Sequence, residues 1–313
     1  MRRTLALAIA ALLPAAALAE PLDIDLGQLG APTPDVWMYA EGGVSPTAND
    51  ALLADDAKAR FGMLASDLAL ALTSTLLTPG STTGHSGFDV AFEGAYAQTH
   101  VNVVGSASSA ALAFGPRDYW PTRGMKPHEL FVPGVRIRKA LPFSIELGAR
   151  FKYLAESSLY AGQLETKWAF FEGDRVLPDF ALRIAYTRTG GVRTLNLGAT
   201  DFDFIVSKRW GVLGVVSLTP YGALRFTYMR ASSDAIVFFP DAAAGTQQQR
   251  TASFPSLSGI FFRPTLGVRM TTYALSLAAE ITQYGGGEFK PAGYPTFRVK
   301  PSLAGSFRLG FEF

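Results

Sequence analysis

The last eleven residues, Leu303-Ala-Gly-Ser-Phe-Arg-Leu-Gly-Phe-Glu-Phe313, alternate apolar side chains with polar or small ones. Leu303, Phe307, Leu309, Phe311 and Phe313 fall on one side of an extended chain, and Arg308, Gly310 and Glu312 on the other, because a strand repeats every two residues. A strand that is apolar along one side and charged along the other suits two different surroundings. Lipid outside and a polar lumen inside supply them.

The same alternation recurs in segments of about ten residues, the length a tilted strand needs to cross a hydrocarbon layer. They are 88–98, 131–139, 143–153, 159–171, 180–188, 194–207, 216–229, 260–270, 273–284 and 297–313. The pattern predicts an all-β chain, a transmembrane antiparallel up-and-down β-barrel of about ten strands; a strand within 101–113 would raise the count to twelve. In 194–207 the apolar positions pass from odd (Leu195, Leu197) to even (Phe202, Phe204, Val206), which predicts a β-bulge near Gly198 to Thr200. Short links after Lys139, Phe171, Lys208 and Met270 alternate with longer ones after Gln98, Arg230 and Tyr284. If the short links are periplasmic, so are both termini. Aromatic residues then collect at two levels, with Phe143, Trp168, Phe180, Tyr273 and Phe313 at the periplasmic rim. Tyr153, Tyr160, Tyr186, Tyr228, Tyr284 and Phe297 mark the outer one.

Hydrophobic residues make up 48% of the chain and aromatics 12%, yet no late segment has the run of about 20 apolar residues that a membrane helix needs. In lipid the remaining way to pair every backbone group is a closed sheet. Arg2 and Arg3, an apolar run from Leu5 to Leu13, and Ala17-Leu-Ala19 before Glu20 read as a cleaved secretory signal over 1–19. The chain has no cysteine, which removes disulfides, thiolate catalysis and thiolate metal sites, and its net charge of +2 gives no footprint for nucleic acid.

The closing strand, through Phe307, Leu309, Phe311 and the terminal Phe313, resembles the C-terminal signal of Gram-negative outer-membrane barrels. That resemblance implies an outer-membrane location and, as partners, outer-membrane lipid, the barrel-assembly machinery and periplasmic chaperones. It carries no cargo and no oligomeric state.

Ahead of the barrel (86–313), residues 20–48 read as an extended periplasmic lead and 49–78 as an amphipathic helix. Phe61, Leu64, Leu68 and Leu72 recur at helical spacing, Asn49 or Asp50 can cap the start, and Pro79-Gly80 stop the run. The helix has three open fates: a plug in the lumen, packing beneath the barrel, or resting on the inner leaflet surface. Small residues at inward positions, among them Gly134, Gly148, Ala181, Ala185, Ala223 and Gly267, leave room for a helix or a ligand. A helix before a barrel loosely resembles the hatch of fatty-acid transporters, and no residue carries over.

Predicted lumen positions hold Arg136, Arg138, Arg150, Lys152, Lys167, Arg183, Arg225, Arg263, Arg269 and Arg308. Against them stand Asp89, Glu93, Glu146, Glu165, Glu280 and Glu312. Such a lumen favours a carboxylate-bearing or other anionic small solute, or its charges pair with one another and fill the barrel. The expected function is passive transport or binding of a small solute. The alternative is a structural or surface-interaction barrel acting through loops 99–128 and 231–256, the second carrying an apolar tip at Ile236-Val-Phe-Phe239 before Gln247-Gln-Gln249.

Catalysis is not expected, and neither is a cofactor. Asp201 and Asp203 share a face and are able to hold a cation or act as an acid pair, but the Asp-x-His element of the outer-membrane aspartyl-type proteases is absent. His100 and His128, near Ser106, Ser108, Ser109 and Asp118, lack the His-x-Ser pattern of the outer-membrane phospholipases and lipid deacylases. Together with His85 they read as solvated loop residues.

Overall fold

A computed structural model describes residues 20–33, 48–73, 75–84, 87–99, 104–105, 119–122, 127–173, 177–212, 215–238, 250–284, 287–289, 293–294, 297–299 and 301–313. The signal segment, His85, His100, Gln247 to Gln249 and most of 101–118 lie outside these residues.

Ten antiparallel strands close on themselves. They are β1 (Phe88–Gln98), β2 (Glu129–Leu141), β3 (Ile145–Tyr153), β4 (Tyr160–Phe171), β5 (Asp179–Gly190), β6 (Leu195–Ser207) and β7 (Val216–Ser233). β8 comes in two pieces, Leu257–Phe262 and Thr265–Thr272, followed by β9 (Leu275–Tyr284) and β10 (Ser302–Glu312). Each strand pairs with the next, and β10 returns to β1, so the main sheet has no free edge. At this seam Gly94 stands opposite Phe307, whose ring lies so close that a Cβ on Gly94 would clash with it. Burial alternates along the strands, most cleanly in β4 and β5. Outward positions carry Leu164, Trp168, Phe202, Phe226, Leu266 and Ile281, all exposed, an apolar belt far larger than water tolerates on a monomer.

Several boundaries differ from the sequence pattern, each for a local reason. The predicted bulge in β6 is absent: its register against β5 and β7 is continuous, and odd positions face inward throughout. The register shift falls instead between Trp168 and Phe171, where it turns Phe170 and Phe171 both outward. β8 breaks at Arg263-Pro264, since Pro264 has no N–H to give the ladder. The last strand starts at Ser302, because Phe297–Val299 leaves the barrel to form a small sheet with Gly287–Phe289 and Val104–Gly105. Phe143 is not a strand residue but stands in a turn with φ 65, and Tyr273 does the same with φ 48. In the loop after β7, Ile236–Phe238 pairs with Arg250–Ala252, and Ile236 is buried, while Phe239 of the expected apolar tip lies outside the described residues.

The largest difference concerns the N-terminal lead. Phe313 exchanges backbone hydrogen bonds with Phe88, so the C-terminus marks one end of the barrel. Residues 20–33 lie at the other end: Leu22 N donates to Glu156 O at 2.8 Å, and Asp25 N to Pro121 O at 2.9 Å. The lead therefore does not share an end with Phe313, as the alternation of links had predicted. The chain between them crosses the barrel from end to end.

Candidate functional site

Helix α1 (Ala48–Thr73) makes this crossing in the far half of the lumen. Its early turns keep a wet side, with Asp55 exposed, but from Phe61 to Thr73 every residue is buried. The expected amphipathic helix is thus buried on all sides in its second half, because the barrel encloses it. Phe61, Leu64, Leu68 and Leu72 are completely buried. Phe61 stacks on Phe254 with ring centroids 4.5 Å apart. Ala95, Ala97, Leu130, Val132, Leu195 and Leu197 line this half from the wall. The alternating small residues of Ala65 to Ala71 keep the helix thin enough for a ten-stranded lumen, only a little wider than one that side chains alone would fill. Asp67 brings a charge into this layer, and its carboxylate accepts from the Tyr119 hydroxyl at 2.6 Å.

The near half is ionic. Arg136 pairs with Glu165 and with Glu93 at 3.2 Å, and Arg150 with the same Glu93 at 2.9 Å. Arg138 joins Asp89 at 2.6 Å to Glu146 at 3.2 Å, and Lys167 meets Glu146 at 2.8 Å. Arg183 bridges Glu165 and Asp203, both at 2.6 Å, and Arg225 reaches Asp203 at 2.9 Å. Arg308 pairs with Asp89, and Arg269 with Glu312. Most of these side chains are almost wholly buried, where a lone charge would cost several kcal/mol and shared partners offset that cost. Asp201 and Asp203 belong to this network, with Thr227 Oγ1 donating to Asp201 at 2.5 Å. The sequence pattern set this pair apart because it read a bulge beside them. Three of the small inward residues are covered, as the side chains of Lys152, Glu165 and Tyr221 lie over Gly134, Gly148 and Gly267.

Two inward groups are held differently. Lys152 pairs with no carboxylate among the described residues; its Nζ donates to the Leu72 carbonyl at 2.8 Å, at the helix C-terminus, where a cation meets the negative end of the dipole. Glu280 accepts from the amides of Leu76 at 2.8 Å and Leu77 at 2.6 Å, and from the Tyr221 hydroxyl at 3.0 Å. Lys152 thus closes the end of α1, and Glu280 holds the segment that follows it. Arg150 takes the Thr75 carbonyl at 2.8 Å, Arg136 that of Leu76 at 2.9 Å, and Lys167 those of Pro79 at 3.2 Å and Ser81 at 2.7 Å. Ser207 accepts from the Gly80 amide at 2.9 Å, Glu172 from that of Thr82 at 2.9 Å, and Glu146 from that of Thr83 at 2.6 Å.

The structure thus gathers the predicted lumen residues into one buried layer, closed against the chain's own backbone. What sequence reading missed is Thr73, Thr75 and Thr78, whose hydroxyls accept from Arg263, Arg150 and Arg138. Their signal was a run of Thr and Ser just past an apolar helix. Phe307, Leu309, Phe311 and Phe313 all face outward and are exposed. His128 is exposed near the far rim, just ahead of β2, and no metal-holding cluster occurs among the described residues.

No family model and no curated protein matches this chain. Solved structures that resemble it include the Neisserial surface protein A, 14% identical over 72% of this chain and 95% of that one, with a TM-score of 0.28. The translocator domain of the autotransporter NalP from Neisseria meningitidis is 12% identical, covering 83% and 97%, with a TM-score of 0.40. Ail of Yersinia pestis, in complex with the heparin analogue sucrose octasulfate, is 12% identical over 74% and 100%, with a TM-score of 0.24. These are Gram-negative outer-membrane β-barrels, and the likeness is one of fold.

Proposed function

We propose that this protein is an outer-membrane barrel closed by its own N-terminal segment, working at the far rim as a surface-interaction barrel rather than as an open pore. The observation that supports this reading is the path of the chain, with residues 20–33 on the far rim, α1 in the far half and 75–84 through the ionic half. Solute passage would require that segment to leave, at the loss of the hydrogen bonds that hold it. The exposed apolar belt supports insertion in lipid, the short turns beside Phe313 are then periplasmic, and lipid and the barrel-assembly machinery are the partners. The reading assigns no catalysis, since Asp201 and Asp203 are engaged with Arg225, Arg183 and Thr227.

Refolded protein in a planar bilayer is expected to be silent, with folding checked by heat-modifiable gel mobility. On intact cells, an epitope inserted between Ala19 and Glu20 is expected to bind antibody without permeabilisation. Steady conductance by the parent chain, or an epitope reached only after the membrane is opened, would overturn the reading.

A further inference from the structure

Charge is distributed one-sidedly across the ionic half. From Leu68 to Gly84 the closing segment carries no charged residue, whereas the wall around it is dense in both signs. The wall's polar contacts to it fall chiefly on what every residue shares, while the Leu76 side chain packs among Ala169, Ala181, Ile205, Tyr221 and Ala223. Cations take the carbonyls of Leu72, Thr75, Leu76, Pro79 and Ser81. Carboxylates or a serine hydroxyl take the amides of Leu76, Leu77, Gly80, Thr82 and Thr83. From the side chains the wall takes polar contacts only to hydroxyls, as at Thr75 and Thr78. Leu76 and Leu77 are polar partners through their backbone alone.

This pattern discriminates among occupants. A small anionic solute would satisfy the cations but bring no donors to Glu280, Glu172 and Glu146. A main chain supplies N–H and C=O together, one of each per residue except proline. A wall rich in both signs is complementary to that pairing and asks of the accompanying side chains only that they fit and add no charge to a layer already paired. We propose that the charged half of the lumen is a binding site for an uncharged stretch of polypeptide, recognised through its main chain, with residues 75–83, turned at Leu77 where φ is 49° and two successive amides meet Glu280, as its resident occupant. The proposal rests on the reading that this segment closes the barrel.

Because the chain has no cysteine, Ser81→Cys in the full-length protein gives a single reporter, and its rate of modification by a bulky maleimide reads the opening of the segment. Three chains carry it. The first is otherwise unchanged. The second combines Leu76→Met, Leu77→Asn, Thr78→Val and Thr82→Val, which rewrites side chains and keeps the main chain. The third combines Lys167→Met with Glu146→Gln, which removes a cation and an anion from the wall. The rewritten chain is expected to react within about threefold of the first, and the wall variant at least about tenfold faster, as local opening becomes more populated.

Equal, fast reaction of the rewritten and wall variants would show that side chains are read and overturn the proposal. So would protection in all three. Should the rewritten chain fail the gel-mobility test, insertion of Ser-Thr between Thr82 and Thr83 moves the sequence by two residues while preserving an uncharged main chain. Continued protection of the reporter supports the proposal and its loss defeats it. A parent chain that reacts at once would defeat the closing reading itself, whereas a protected parent beside an open rewritten chain defeats only main-chain recognition.

Discussion

Glu280 holds two adjacent backbone amides and a tyrosine hydroxyl with one carboxylate. Glu280→Gln would turn an N–H toward one of those donors and leave it buried and unsatisfied. The expected loss is about 2 kcal/mol, the usual cost of an orphaned buried donor, read as a fall in the urea midpoint of the heat-modifiable band. An unchanged midpoint would mean that this contact does not hold the segment. Phe143 poses the opposite case. It sits at φ 65 and is 87% exposed, a left-handed conformation that costs a side chain roughly 1–2 kcal/mol. Phe143→Gly is expected to stabilise the barrel by about 1 kcal/mol in detergent and to lose that gain in lipid vesicles, where the ring anchors the turn in the interface. An equal gain in both would remove the anchoring role.

At the scale of elements, the strands were legible because their outer face meets one solvent throughout. The inner face was only half legible. In β6 the change from Leu195 and Leu197 to Asp201 and Asp203 looked like a slip of phase, but all four residues point inward. The lumen itself changes along its axis, from an apolar half filled by α1 to an ionic half filled by charge, and no local pattern encodes what a distant segment contributes. The same blindness made α1 look amphipathic and put its lead at the wrong end. That lead is tied down by Asp23, whose carboxylate accepts from the amides of Ser158 at 2.7 Å and Glu20 at 2.8 Å. Partial burial raises its pKa, but these hydrogen bonds outweigh burial and leave it below the ordinary carboxylate value. A depressed pKa stabilises the fold above the unfolded value of about 3.9 and loses that contribution as pH falls through the folded one. Hydrogen exchange at Ser158 and Leu22 is therefore expected to accelerate below about pH 4 relative to the barrel strands. Uniform acceleration across the barrel would separate the lead from Asp23.

For the whole molecule, closure joins features that the sequence left apart: the terminal alternation, the helix of apolar and small residues, and the surplus of inward arginines. The first two were visible as elements. Their engagement was not, because the hydrogen bond from Arg136 to the Leu76 carbonyl and that from the Leu76 amide to Glu280 span sequence separations of 60 and 204 residues. The seam between β1 and β10 joins the first barrel strand to the last, with the Phe307 ring laid across Gly94. Until β10 is in place the sheet is an open staves-and-gap structure, and the segment ahead of β1 can be laid sideways into it. After the seam zips, the same segment can leave only lengthwise, through an end of the barrel. The barrel is in this sense a hoop sprung shut around a peg: quick to load while incomplete, slow to empty once finished.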